Sequence, residues 1–274
     1  MRVLLTNDDG IHAEGIQSLR RALVQVPGIE LSVIAPDTNQ SATARSITTR
    51  RPIWVEEIDF GDGTAGYAID GTPVDCVRFA ALGLIDEFKP DLVVSGINHG
   101  FNLGDDITYS GTVAAAFEGV LLGVPGIAIS QQSVAREMDF RLGRTFDFSN
   151  AAAFAARLVD EIEDVPLPDG TLLNVNVPAG DLSGVEVVRL GKRIYRDSLS
   201  VVEESDTPGR KLYRVYGDQP DYHREPGTDM SAIADGRIAV TPLHFDLTDR
   251  PGIETLRGYD LGALLAPVAG GLES

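Results

Sequence analysis

The chain has 274 residues, 43% of them hydrophobic, which suffices for one large α/β domain with an appendage or for two small domains, and excludes global disorder. Its formal net charge is -18, from 41 acidic against 23 basic residues, a surface that repels nucleic-acid backbones and anionic membranes. Only Lys89, Lys192 and Lys211 are lysines, and acid excess with lysine nearly absent fits adaptation to high salt.

The single cysteine, Cys76, forbids an intramolecular disulfide and fits a reducing cytoplasm. The N-terminal apolar run is shorter than a signal peptide's, and no stretch approaches a membrane span. A cytoplasmic protein is therefore expected.

Val3-Leu4-Leu5 reads as a buried parallel strand. It ends in Thr6-Asn7-Asp8-Asp9-Gly10, two adjacent carboxylates on a loop at a strand's carboxyl end. Adjacent acids repel each other unless a cation sits between them. A plain turn is the other reading, since Asn, Asp and Gly are turn residues. Ile16, Leu19, Ala22 and Leu23 then share one helix face, with Arg20 and Arg21 on the other. Leu31 to Ala35 forms a second strand, so the first thirty-five residues are a βαβ unit with a parallel pair.

The polar run 37–51, which holds Ser41, Arg45 and Ser46-Ile47-Thr48, follows strand two as Asp8-Asp9 follows strand one. It belongs to the same sheet edge, where sites are built. Ile53–Ile58 and Gly66–Ile69 form an antiparallel excursion around Gly61-Asp62-Gly63. Thr72-Pro73 opens a helix with Thr as cap and Pro in its first turn. Leu92-Val93-Val94 is a third buried strand, opening into the polar, glycine-rich loop 95–106 with Asn98 and Asn102.

Ser110-Gly111-Thr112 starts a further helix, whose free N–H groups and hydroxyls suit a phosphate, although Ser and Thr also cap helices without any ligand. Gly126–Ser130 is a fourth strand. A helix capped by Ser149 and a strand at Leu172–Val177 complete the core. Beyond residue 178 the texture becomes mixed, with strands expected at Val185–Leu190 and Leu212–Tyr216. Thr228-Asp229 precedes a helical turn, a strand follows at Gly236–Leu243, and the tail after Arg250 is weakly helical. The expected architecture is α/β, a Rossmann-like, doubly wound, mostly parallel sheet as catalytic core over 1–178. A smaller, partly antiparallel part over 179–274, with a projecting hairpin and a tail, would serve oligomerisation.

Asp8 and Asp9, Ser41 with its neighbours, and Asn98 with Asn102 arrive from three strand ends, and all offer oxygen. Such a set favours Mg²⁺, Mn²⁺ or Ca²⁺ over zinc or copper, and points to metal-assisted phosphate-ester hydrolysis. A P-loop, a dinucleotide G-x-G-x-x-G after strand one and a G-x-S-x-G elbow are all absent from the sequence. The histidines His12, His99, His223 and His244 are scattered; His99, inside the Asn98 loop, faces either substrate or solvent.

These segments, taken in order with Tyr109-Ser110-Gly111-Thr112-Val113, Asn174-Val175-Asn176-Val177-Pro178, Thr228-Asp229 and Val240-Thr241-Pro242-Leu243, resemble the SurE family of stationary-phase survival 5'/3'-nucleotidases. The resemblance implies a metal-dependent phosphatase of nucleoside monophosphates, with Asp8 and Asp9 as the catalytic pair. It implies Mn²⁺ or Mg²⁺ held by Asp8, Asp9, Ser41 and Asn98. It also implies a phosphate pocket of Asn102, Ser110, Gly111 and Thr112, with Asn7 beside it, and a homodimer or homotetramer. Many members have Gly-His where this chain has Ala44-Arg45, so Arg45 is a candidate phosphate ligand or a solvent-facing cation. A non-catalytic nucleotide- or metal-binding sensor on the same fold is the alternative function. The composition carries its own expectation: the chain unfolds at higher temperature in molar salt than in dilute buffer, and equal melting temperatures would rule out the salt adaptation.

Overall fold

In this computed structural model, residues 1–138, 145–196, 198–204, 207, 209–215 and 221–265 are described. Tyr216, the end of an expected strand, and the last nine residues of the tail lie outside them.

The elements run β1 (Arg2–Thr6), α1 (Glu14–Leu23), β2 (Glu30–Pro36), β3 (Val55–Asp59), β4 (Ala65–Ile69), α2 (Pro73–Ala81), β5 (Leu92–His99), α3 (Gly111–Leu121), β6 (Gly126–Gln131), α4 (Ser149–Glu161) and β7 (Thr171–Val177). Then come β8 (Gly184–Val187), β9 (Arg193–Ile194), β10 (Ser200–Glu204), β11 (Lys211–Arg214), β12 (Asp221–Tyr222), α5 (Asp229–Ala234), β13 (Arg237–His244) and α6 (Arg250–Arg257). Nine strands form one sheet in the order β3-β4-β2-β1-β5-β6-β7-β13-β8. Strands β4, β2, β1, β5, β6 and β7 are mutually parallel, β3 runs against β4, β13 runs against β7, and β8 lies parallel to β13. The expected doubly wound sheet is present, with small antiparallel pairs β10–β11 and β9–β12 in the C-terminal part. The main sheet itself continues past residue 178, through β13 and β8.

Strand order reverses direction at β1. The chain leaves it for β2 on one side and returns from β4 to β5 on the other. The crevice between the carboxyl ends of β1 and β5 is thus the switch point, where such sheets bind ligands. Apolar β1, β5 and β6 are buried on both faces, as interior parallel strands are. Helices α1 and α4 cover one face over a core including Leu5, Ile16, Val94 and Ile129. On the other face lie α2 and α3, over Leu4, Val77 and Val93. Among the described residues no helix is long and apolar enough to cross a membrane.

Local signals act as expected at two helix starts. Thr72 and Asp75 form a reciprocal capping box at α2, and Ser110 Oγ accepts from Val113 N at α3. Three expectations need correction. Ser149 is the first residue of α4 rather than its cap, and Asp147 Oδ1 accepts from both its N and its Oγ. Arg20 is buried, not on an outer face. Its guanidinium lies 4.4 Å over the Phe60 ring and 2.7 Å from Asp62, so it pins the β3–β4 hairpin to α1. Finally, β5 does not end at Val94 but runs to His99 across an irregularity between Ser95 and Asn98.

That irregularity is made by close backbone approach. A Cβ on Gly96 would meet Ile129 O at 2.3 Å, and one on Gly15 would meet Ile97 O at 2.0 Å. Helix α1 therefore rests directly on the bulged end of β5. Gly15→Ala must displace backbone and is expected to cost about 3 kcal/mol, the upper part of the range for overpacking. Gly28→Ala meets no atom within 4 Å and pays only for its positive φ of 75°, about 1 kcal/mol. Urea denaturation of both variants measures the difference; equal losses would refute the close approach.

Candidate active site

Three strand ends meet at the switch point. A cavity of about 260 Å³ opens there, lined by Asp8, Ser41, Ala42, Asn98, His99, Asn102, Asp106, Tyr109 and Ser110. Five of the sequence-derived candidates (Asp8, Ser41, Asn98, Asn102 and Ser110) thus line one cavity. The others have different places.

Asn7 is fully buried and closes the loop. Its Nδ2 donates to Gly10 O at 2.9 Å, and its Oδ1 accepts from Gly10 N at 3.2 Å. Both polar ends of Asn7 are therefore spent on aiming Asp8 and Asp9 rather than on a ligand. Gly111 and Thr112 stand behind Asp8. Thr112 Oγ1 donates to Asp8 Oδ1 at 2.5 Å, and a Cβ on Gly111 would meet Asp8 Oδ2 at 2.9 Å. The first turn of α3 is thus seated on the Asp8 carboxylate, where helix N–H groups favour negative charge.

Asp9 borders the cavity without lining it. Its Oδ2 accepts from His99 N at 3.0 Å and its Oδ1 from Asn39 Nδ2 at 3.2 Å. Arg45 is directed elsewhere. Its Nη2 lies 2.7 Å from Glu118 Oε2, and its guanidinium sits 5.0 Å from the Phe245 ring centroid. Glu118 is buried and also pairs with Arg78 at 2.9 Å. Arg45 is therefore a clamp from the Ser41 loop to α3, not part of the cavity wall.

The remaining wall is rigid. Asn102 N donates to Asn176 Oδ1, its Nδ2 to Ser130 Oγ, and its carbonyl accepts from Asn174 and Asn176. Asn98 Nδ2 donates to Gly100 O at 2.9 Å, which leaves its Oδ1 to act as a ligand. His99 stacks on Phe146 and Phe148 at 5.0 Å each, and burial lowers its pKa, so a neutral imidazole faces the cavity.

Burial raises the pKa of both acids. At Asp8 the charge of Asp9 adds to the effect, against the opposing Thr112 bonds. Neither acid has a Lys or Arg partner among the described residues; the nearest basic atom is His99 Nδ1, 3.9 Å from Asp9 Oδ1. Two buried acids without a counter-charge, facing neutral oxygens of Ser41 and Asn98, fit a hard divalent cation. Among the described residues no group of three or more His, Cys, Asp or Glu is placed to hold a metal, so such an ion here depends on those neutral oxygens.

Asp106 and Tyr109 line the cavity but were not singled out from the sequence. The adjacent pair Asp105-Asp106 in a glycine-rich loop, an echo of Asp8-Asp9, was the available signal.

Known proteins resemble this chain over nearly its whole length. The family model described as "Survival protein SurE" matches residues 3–197. The 5'-nucleotidase SurE of Rubrobacter xylanophilus is 50% identical over 270 residues, 97% of this chain and 99% of that protein. The protein of the same name from Geobacter sulfurreducens is 44% identical, over 96% and 95% of the two chains. The crystal structure of the Aquifex aeolicus SurE protein superposes with a TM-score of 0.77 at 37% identity, over 94% of this chain and 99% of that one. With near-complete coverage, a shared fold and the strand-end residues in place, the chain belongs to the survival protein SurE family.

Proposed function

We propose that this chain is a divalent-cation-dependent 5'-nucleotidase, with 3'-nucleotides as further substrates, releasing nucleoside and phosphate. One observation carries the reading: Asp8 and Asp9 are buried together at the switch point with no Lys or Arg partner among the described residues, beside a cavity roofed by the start of α3. The names of the relatives support the substrate class. A non-catalytic sensor would keep the same ligands, and turnover separates the two.

Asp8, Asp9, Ser41 and Asn98 would hold the cation. When bound, it supplies polarisation of a phosphoryl oxygen and a lowered pKa for the attacking water. The remaining work belongs to the protein. Ser110 Oγ accepts from Val113 N, so its hydroxyl hydrogen is free to donate to a phosphoryl oxygen at the start of α3. Asn102, fixed by four hydrogen bonds, keeps the opposite wall from yielding. Asn7 and Thr112 hold Asp8 in one orientation. The Arg45–Glu118–Arg78 cluster ties the loop that carries Ser41 to α3.

The C-terminal part supports an oligomer. Val201, Val202, Leu212, Tyr213 and Val215 on or beside the β10–β11 hairpin are each about half exposed, and α6 buries none of its residues. Apolar arms of this extent favour burial against a second copy. Light scattering at micromolar concentration is expected to give a dimer or tetramer mass; a monomer mass would sink this part.

Cation binding requires both acids ionised, while burial favours their protonated forms. Affinity is therefore expected to be high at alkaline pH and to fall on acidification through the raised range. The rise in melting temperature caused by Mn²⁺ should be larger at pH 8 than at pH 5.5. Asp8→Asn should abolish that rise and cut AMP hydrolysis at least about a hundredfold. Wild-type turnover in Asp8→Asn, or Mn²⁺ stabilisation independent of pH, would refute the site.

A further inference from the structure

Asp106 lines the cavity together with Asp8 and Ser110, yet it has no part in holding the acids or the phosphate. It lies on the short 3-10 turn Gly104–Thr108, four residues before Ser110, so one continuous segment carries both it and the start of α3. Its carboxylate is buried and doubly anchored. Arg193 Nε donates to Oδ2 at 2.6 Å, and Tyr195 OH donates to Oδ1 at 2.8 Å. Burial, then the bond to Asp106, holds the Tyr195 phenol above its usual pKa, so it remains a donor.

A carboxylate has about four acceptor positions. Among the described residues each Asp106 oxygen has one side-chain donor, which leaves one position per oxygen. The Arg193 charge offsets that of Asp106, so this wall does not repel a phosphate as a bare acid would. Arg193 is itself buried, and its Nη1 has no partner among the described residues. That atom is shut off from solvent and Arg193 does not line the cavity, so the unspent acceptor positions of Asp106 are what this cluster offers at the wall.

Two parallel acceptors suit two adjacent hydroxyl donors. A nucleoside 5'-monophosphate presents such a pair, its 2'- and 3'-hydroxyls, at the end of the sugar away from the phosphate. Acidic side chains read ribose hydroxyls in this way elsewhere. The cavity is below the usual size for an enclosed drug-sized ligand. A cavity of this size has room for phosphate and sugar, and would leave the base toward the mouth, where half-exposed Tyr109 stands.

We infer that Asp106 reads the sugar: its carboxylate accepts the ribose 2'- and 3'-hydroxyls while the 5'-phosphate lies against Asp8 and Ser110. The inference rests on the nucleotidase reading above and names the part of the substrate that this wall selects. Arg193 and Tyr195 act through Asp106 as positioning residues.

The test compares phosphate release from AMP, 2'-deoxy-AMP and 2',3'-dideoxy-AMP with Mn²⁺. Wild-type kcat/KM is expected to fall about tenfold for each hydroxyl removed, the scale of one charge-assisted hydrogen bond. In Asp106→Asn the ratio between AMP and the dideoxy substrate should drop below about ten. Equal kcat/KM for AMP and 2',3'-dideoxy-AMP in the wild type overturns the inference, and this arm needs no variant to fold. A wild-type ratio kept in Asp106→Asn overturns the assignment to that residue. Absence of phosphate release from AMP itself refutes the nucleotidase reading instead, and the inference falls with it.

Discussion

Two neighbouring carboxylates, buried with no Lys or Arg partner among the described residues, are the constraint on which the rest of this structure depends. Each would be more stable in water, and together they repel. The fold nevertheless spends much of its local design on keeping them in place. Asn7 closes the loop under them, Thr112 and the first turn of α3 press on Asp8, and the His99 backbone and Asn39 hold Asp9. Packing them this way stores an unmet demand for positive charge at one point of the sheet. A demand so well supported by surrounding groups is not an accident of turn chemistry.

The support is built from backbone contact rather than from side-chain bulk. Gly15 lies against the bulge of β5, Gly96 against β6, and Gly111 against Asp8, each with no room for a Cβ. These approaches bring α1, β5 and α3 around the β1 terminus closely enough that short side chains reach the same cavity. Larger residues at those points would move strand ends apart and separate Asn98 from Asp8. The glycine pattern and the acid pair are therefore one feature seen at two scales: the first sets the distance, and the second uses it.

The strand ends, the Thr72 cap of α2 and the Ser110 start of α3 were legible because each signal is local. A strand running into polar residues needs only a few positions to be recognised. The roles of Arg20, Arg45 and Asp106 were not legible, because each is set by a residue distant in sequence. Arg20 looked like surface charge on an amphipathic helix, since helical periodicity cannot see Phe60 and Asp62. Arg45 sat in the right loop for a phosphate ligand, but Glu118, buried under a different helix face, takes its charge. The contacts of Gly111 and Thr112 with Asp8 were not legible either, because periodicity says where a helix begins and not what lies under its first turn.

Asp106 shows the same limit from the other side. Its anchors come from β9 and its flank, Arg193 and Tyr195, so its function is decided by a segment nearly ninety residues later. This gives the C-terminal part a second role besides presenting apolar arms. It reaches back to fix one wall of a cavity whose other walls belong to the parallel core, and Asp229 does likewise by accepting from Gly104 N and Gly191 N.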